Sequence, residues 1–368
     1  MAPAGGRKNP LAGAAKLHES PKIAILCFQW VAAGFHPCAG RPRPAAAYLT
    51  LFAAVTLTAA DYRWDLPRGF PTPRVPADYL MSEVRVVLGR YLFYDARLSV
   101  NGTQSCASCH RQELAFTDGR ATARGATGQD HPRSAMSLVN IAYSEVLTWS
   151  NPLLHSLERQ ALVPMFGEHP VELGLSGRES AVLTVLHADP VYRLHFAKAF
   201  PEPAPFTFAN IAKAIACFER TIISARSPYD RYYTGNDPGA ISEAAKRGEV
   251  LFYTYPNAGC FRCHGGLAFS DASSHNTALH PSDPRKFKTP TLRNIAITAP
   301  YMHDGSIATF EEVLDHYATG GRAHGNPNRD PRMKPLALTS QNRADLLAFL
   351  HTLTDEELLR DLRFANPW

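Results

Sequence analysis

Two five-residue runs carry the chemistry of this chain: Cys106-Ala-Ser-Cys-His110 and Cys260-Phe-Arg-Cys-His264. In each, two thiols three positions apart are followed directly by a histidine, the pattern of a c-type haem attachment site. Thiols at that spacing can add to the two vinyl groups of one haem as thioethers, and the adjacent imidazole then lies under the iron as its proximal ligand. Zinc also takes paired C-x-x-C thiols. Zinc ribbons, however, set their pairs about 15–20 residues apart and need no histidine flush against each. Here His110 and His264 lie 154 positions apart. The reading is two covalent haems, one on Cys106, Cys109 and His110, the other on Cys260, Cys263 and His264.

The sequence around each run supplies the same scaffold twice. A helix is predicted from Ser82 to about Tyr94, with Ser82 as N-cap and Val84, Val87, Leu88, Tyr91 and Leu92 at helical spacing. It ends Gly89-Arg-Tyr-Leu92-Phe93-Tyr94, which recurs as Gly248-Glu-Val-Leu251-Phe252-Tyr253 behind Ser242, an internal repeat of one haem-binding unit. Each unit closes in an apolar helix. Phe208, Ile211, Ile215, Phe218 and Ile222 form one stripe, and Leu346, Leu347, Leu350 and Leu353 the other. An opening helix, C-x-x-C-H and a closing helix that packs on the first is the layout of a cytochrome c domain, and Gly89 and Gly248 would let those helices approach closely. Ser227–Asn236 reads as a linker, and residues 117–134 and 163–178, polar or rich in Gly and Pro, read as functional loops. No alternating strand pattern runs beyond a few residues. The expected fold is all-α: two tandem cytochrome c-like haem domains with long loops, at 61–230 and 231–368, behind an N-terminal extension at 1–60.

Composition narrows the class. With 45% hydrophobic and 19% charged residues, the 368-residue chain can bury two ordinary cores. A net charge of +5 without a basic stripe gives no nucleic-acid footprint. Residues 45–60, AAAYLTLFAAVTLTAA, follow Arg41 and Arg43 and end in small residues before Asp61, the layout of an export signal. Sixteen residues are short for a membrane span, which takes about 20. The mature, periplasmic chain is expected to begin near Asp61 and not to be an integral membrane protein. Of the cysteines outside the haem runs, Cys217 reads as a buried free thiol, and nothing requires Cys27 and Cys38 to pair.

With its two C-x-x-C-H units, the string Ala135–Asn140 and the run Lys288-Thr-Pro-Thr-Leu-Arg-Asn-Ile-Ala-Ile-Thr-Ala-Pro-Tyr-Met-His-Asp-Gly305, the chain resembles the di-haem cytochrome c peroxidase (MauG) superfamily over about Tyr62–Leu362. NGTQSCASCHRQELAFTDGR and ALVPMFGEHPVELGL look closest to the methanobactin-operon (MbnH-type) di-haem enzymes. The resemblance implies that one haem reacts with hydrogen peroxide while the other stores or relays an oxidising equivalent. Glu172, in Pro170-Val-Glu-Leu-Gly174, matches the family's acid/base glutamate, and Gln160 and Pro164 match distal-pocket positions. Tyr317 lies 17 residues past Pro300, where MauG-type members place a tyrosine on the second iron and other peroxidases a methionine. A phenolate stabilises ferric and higher iron, whereas a thioether raises the potential. Trp149 falls where the family places a tryptophan between the haems, although the usual Trp-Asp-Gly-Arg reads Trp149-Ser-Asn-Pro152. Asn140, Thr298 and Pro300 match the positions that hold a calcium there through oxygen ligands.

Three functions follow. The first is a periplasmic oxidase that uses hydrogen peroxide, through a high-valent di-haem state, to oxidise a partner protein, in the MbnH branch at a tryptophan. The second is a detoxifying peroxidase fed by a small cytochrome or cupredoxin as redox partner. The third is a di-haem electron carrier. Tyr317 in place of methionine favours the first over the second, and Glu172 argues against the third, since a pure carrier needs no acid/base group.

Overall fold

A computed structural model describes residues 62–368, all within one compact unit. The export-signal run, Cys27 and Cys38 lie outside the described residues. Among the described residues the chain forms helices α1 Glu83–Phe93, α2 Cys106–Cys109, α3 Leu157–Phe166, α4 Glu179–Ala188, α5 Pro190–Ala199, α6 Phe208–Arg220, α7 Pro228–Tyr233, α8 Glu243–Tyr253, α9 Phe310–Ala318 and α10 Ser340–His351. Regular sheet there is confined to one antiparallel pair, β1 Ser274–His275 and β2 Phe287–Lys288, with Ser274 opposite Lys288.

The two opening helices, α1 and α8, are each 11 residues long. The hydroxyls of Ser82 and Ser242 accept the N–H groups of Arg85 and Ala245, the N-cap bond that their residue types predict. Both helices carry glycine where they meet their closing helices. A Cβ on Gly89 would lie 1.9 Å from the Ala214 carbonyl oxygen of α6, and one on Gly248 1.9 Å from that of Asp345 in α10. Each contact organises a core. Leu88, Leu92 and Phe93 pack with Ile211, Ile215 and Phe218 in the first, and Phe252 packs with Leu346, Phe349 and Leu350 in the second. Cys217 is a buried free thiol, as its apolar surroundings in the sequence predict.

Some expectations shift. Ile222 and Leu353 are buried but lie beyond the last residues of α6 and α10. Ser227–Asn236 is not a bare linker. Ser227 and Asp230 form a capping box that starts α7, Tyr229 is buried in the second core, and Asp230 pairs with Arg293 at 2.9 Å. Serine, then proline, then aspartate three residues on was the readable signal for that helix.

Candidate active site

Each haem run presents the same geometry. The Nδ1–H of His110 donates to the Phe116 carbonyl at 2.9 Å, and that of His264 to the Phe269 carbonyl at 3.1 Å. With Nδ1 protonated, Nε2 is left with a bare lone pair, the arrangement of a metal-ligating histidine. Phe116 and Phe269, six and five residues past their histidines, take positive φ, 61° and 51°, a conformation bulky residues rarely adopt. Burial pushes His264 down to about 4 and lowers His110 as well, so both rings are neutral at pH 7. Cys106, Cys109, Cys260 and Cys263 are free of disulfides. Unpaired thiols beside a bare Nε2 fit one covalent haem at each run.

Around the first run, α3 carries Gln160 and Pro164. Pro164 lies inside the helix rather than ending it. Its carbonyl accepts from Leu173 N, and that of Met165 from Leu175 N, each at 2.8 Å, so the chain folds back over the last turn of α3 and carries Glu172 with it. The preceding loop covers this segment: Ala126 N donates to the Glu172 carbonyl at 2.6 Å and Val171 N to Gln129 Oε1 at 2.9 Å. Gly125 permits the approach, since a Cβ there would stand 1.9 Å from the Val171 oxygen.

The result brings the Glu172 carboxylate 3.7 Å from His131 Nε2. His131 Nδ1 accepts from Arg133 N at 3.1 Å, so in the neutral ring Nε2 carries the proton. Burial pushes the half-buried Glu172 carboxyl above the usual glutamate range. After burial itself, Glu219 and Glu172 are among the charges that raise the Cys106 thiol, and Asp118 and Glu172 those that raise Cys109. Glu172 therefore stands within electrostatic reach of the first pair of thiols.

On the second side, Thr309 and Glu312 form the capping box of α9, which carries Tyr317. Burial raises the Tyr317 phenol, and the Cys263 and Cys260 sulfurs add to the rise, so the ring lies near the second pair of thiols. The adjacent His316 is a rival donor that the sequence reading passed over. It is buried, and its Nε2 has no partner, but its Nδ1 accepts from Arg322 N at 3.2 Å, and Arg322 rather than either cysteine is the charge that acts on it. Counted from their caps, Ser156 and Thr309, Pro164 and Tyr317 are both the eighth residue. The same helical position thus carries a side chain with no donor atom in one unit and a phenol in the other.

Between the two units, Trp149, Asn140, Thr298, Pro300 and Lys288 line one cavity. The Trp149 indole N–H donates to the Ser134 carbonyl at 2.9 Å, and the Trp149 carbonyl accepts from Lys288 N at 2.8 Å. Lys288, in the cavity wall, is pulled down to about 8 by burial. Asn140 has a counterpart that went unread. Asn294 is 154 positions on, the same offset as the histidines, and both head the sequence Asn-Ile-Ala with φ near 60°. Their side chains meet at one residue, Asn140 Nδ2 donating to the Ser224 carbonyl at 3.1 Å and Asn294 Nδ2 to its hydroxyl at 2.9 Å.

Comparison with known proteins agrees with this architecture. The di-haem cytochrome c peroxidase family profile matches residues 83–238, and the cytochrome c profile residues 245–354. Methylamine utilization protein MauG of Methylorubrum extorquens is 36% identical over 315 residues, covering 82% of this chain and 86% of that protein. Cytochrome-c peroxidase IdrP1 of Denitromonas iodatirespirans is 33% identical, covering 87% and 94%. Among solved structures, a MauG-like protein associated with microbial copper homeostasis superposes with a TM-score of 0.81 at 42% identity, covering 83% of this chain and 99% of that one. The fold is helical with two cytochrome c-type domains, the cofactors are two haem c groups, and the reaction is an oxidation that consumes peroxide. The chain belongs to the MauG family of di-haem cytochrome c peroxidases.

Proposed function

We propose that this enzyme, exported to the periplasm, uses hydrogen peroxide to withdraw electrons from a partner protein, at a tryptophan, rather than from a small donor cytochrome. The observation that carries the choice is Tyr317, buried and within electrostatic reach of Cys263 and Cys260. A phenol that burial keeps protonated would release its proton to solvent only when a strong cation binds its oxygen, and as phenolate it favours the oxidised metal over the reduced one. That suits holding an oxidising equivalent for a slow partner. The likeness to a MauG-like protein associated with microbial copper homeostasis supports a partner concerned with copper. Among the described residues no helix is long and apolar enough to cross a membrane.

Bound haem supplies the redox-active iron at which peroxide is reduced, and the chain's residues manage the protons. Glu172, ionised, takes a proton from one peroxide oxygen and returns it to the other, so that the second oxygen leaves as water. His131 Nε2 stands 3.7 Å from the carboxylate, beyond direct hydrogen-bond distance. Pro164, one turn beyond Gln160, has no side-chain donor atom and so would offer a bound haem no ligand. Asn140, Thr298 and Pro300 line the cavity that also contains Trp149, and oxygen donors of that kind suit calcium.

Tyr317→His and Tyr317→Met test this reading. Both variants are expected to keep two haems and to consume peroxide. The histidine variant loses oxidation of the partner's tryptophan, read by mass spectrometry, and the methionine variant gains turnover with a reduced donor cytochrome. If Tyr317→His oxidises the partner at the wild-type rate, Tyr317 is an ordinary packed aromatic and the donor-fed peroxidase becomes the better reading.

A further inference from the structure

His280, His303 and Asp304 stand apart from the residues assigned to either haem, yet their donor atoms all lie within 4.8 Å of one another. Two turns bring them together. His303 and Asp304 occupy the turn closed by the bridge from Tyr301 to Ile307, with Tyr301 N donating to the Ile307 carbonyl at 2.7 Å. Ser306 N donates to Asp304 Oδ1 at 3.1 Å, which leaves Oδ2 facing His280 Nε2 at 2.6 Å. The other turn is clasped by Asn326, whose Nδ2 donates to the carbonyls of His280 at 2.8 Å and Asp283 at 3.0 Å. These bonds fix both turns independently of any ligand.

His303 supplies the second observation. It is 6% exposed and lies flat on Phe287, with ring centroids 3.5 Å apart and planes within 10°. No hydrogen bond among the described residues holds either of its ring nitrogens. A side chain this buried ordinarily has a partner, and neither ring nitrogen is wholly shut off from solvent, so an ion can reach them. The nearby charges do not provide a partner: Asp283 is engaged by Arg285 at 2.7 Å, and the Arg133 guanidinium lies over the Phe287 ring, 5.0 Å from its centroid. The remaining cluster of this kind, Cys263 with Asp271 and His275, uses a haem-attachment cysteine and is accounted for.

We propose that His280 Nε2, a ring nitrogen of His303 and Asp304 Oδ2 form a mononuclear site for a divalent first-row transition ion, Zn(II) or Cu(II), distinct from both haems. Two imidazoles and one carboxylate suit these ions, whereas calcium and magnesium take oxygen throughout. Four-coordinate zinc with bonds of about 2.0–2.1 Å holds its ligand atoms roughly 3.3 Å apart, so the donors need only small side-chain shifts. His280, 45% exposed in its side chain, gives the ion access from solvent, and a water completes the coordination. On binding, the ion replaces the proton that His280 and Asp304 share. His303 also meets Trp149 edge to face at 6.5 Å, so the ion would sit one ring away from the indole between the two units.

The test uses tag-free protein carrying both haems, dialysed into metal-free buffer and titrated with Zn(II) alone or Cu(II) alone. One Zn(II) per chain is expected by calorimetry. Cu(II) should give one axial electron paramagnetic resonance signal with nitrogen splitting, separate from the ferric haem signals. His280→Ala, a change at a half-exposed side chain, and Asp304→Asn should each weaken binding by about 100-fold or more, given that even outer-shell partners of metal ligands cost 10–100-fold. Haem absorbance should be unchanged in both variants. Absence of a saturable single ion, or wild-type affinity in His280→Ala, overturns the site. So does a result in which His303→Ala shifts the haem spectra while no ion binds, since the unpartnered imidazole then serves a haem side chain.

Discussion

Replacing Gly248 with alanine sets two effects of opposite sign against each other. Alanine is the better helix former, by about 1 kcal/mol in a helix interior. At this position, however, the new Cβ would stand 1.9 Å from the Asp345 carbonyl oxygen, 2.5 Å from its carbon and 2.8 Å from the Phe349 Cβ. Comfortable non-bonded contact begins at about 3.5 Å, so α8 and α10 must part by roughly 1.5 Å. Overfilling a packed core costs about 1–3 kcal/mol and occasionally more. The obstacles here are backbone atoms and a buried Cβ rather than a flexible side-chain tip, which puts the cost at the upper end. The net expectation is a loss of about 2 kcal/mol, or roughly 4–8 °C in Tm by far-ultraviolet circular dichroism. Gly89→Ala should behave alike, because its Cβ would meet the Ala214 oxygen at the same 1.9 Å. Gly325→Ala is the control: a Cβ there meets nothing within 4 Å, and stability should stay within about 0.5 kcal/mol. A Gly248→Ala protein that melts at or above the wild-type temperature would refute the close crossing and the core built on it.

Three further outcomes are expected. Glu172→Gln should retain both haems but slow reaction with peroxide by about 100-fold or more in stopped flow. On the proposed role of the ionised carboxylate as proton acceptor, and with burial raising its pKa, the wild-type rate should fall with decreasing pH through a value above that of an ordinary glutamate. Arg293→Ala leaves Asp230, 6% exposed in its side chain, as an unpaired buried charge, and should cost about 3–5 kcal/mol in urea denaturation. Glu219, buried with Oε2 unpartnered, is held up to about 8 by burial, against 4.5 for an ordinary glutamate. The folded state then binds the extra proton between those values, so stability should decline as pH rises from about 5 to 8, and Glu219→Gln should flatten that decline.

The features legible in the sequence are those whose physics is local. A serine before an apolar period caps α1 and α8, a glycine in the last turns marks each crossing, and thiols three apart with an adjacent histidine mark each haem. Asn294 and α7 were equally local and went unread, one hidden in a long family motif, the other because its serine, proline and charged residues look like linker composition. Phe349 escaped because the leucines around it already completed a stripe. The pairing of His131 with Glu172 is different in kind. The two are 41 positions apart, and what joins them is backbone bonding between two irregular segments, such as Ala126 N to the Glu172 carbonyl, which no periodicity or residue type announces. The cluster of His280 with His303 and Asp304 is of the same kind, made by an Asn326 clasp that lies far from all three in sequence.

The repeated and unrepeated residues divide the work. What repeats holds a haem: the histidine bonded to a phenylalanine carbonyl, the glycine crossing, and the asparagines that converge on Ser224 and tie the units to each other. A symmetric pair of such sites could pass electrons but would have no reason to treat peroxide at one iron and a partner at the other. The asymmetry lies in the second layer. Helices α3 and α9 start from equivalent caps, and eight residues in, one presents Pro164 and the other Tyr317. The chain that follows α3 folds back to bring in Glu172, whereas α9 leads into the turn around Gly320 and Gly321 that contributes no acid. Under the proposed function, Pro164 would offer one haem no donor atom on the side of Glu172, while the Tyr317 phenol at the same helical position would offer a ligand to the other. On that proposal, a duplicated haem unit becomes a two-site oxidase through different side chains at one helical position and a different chain path after it.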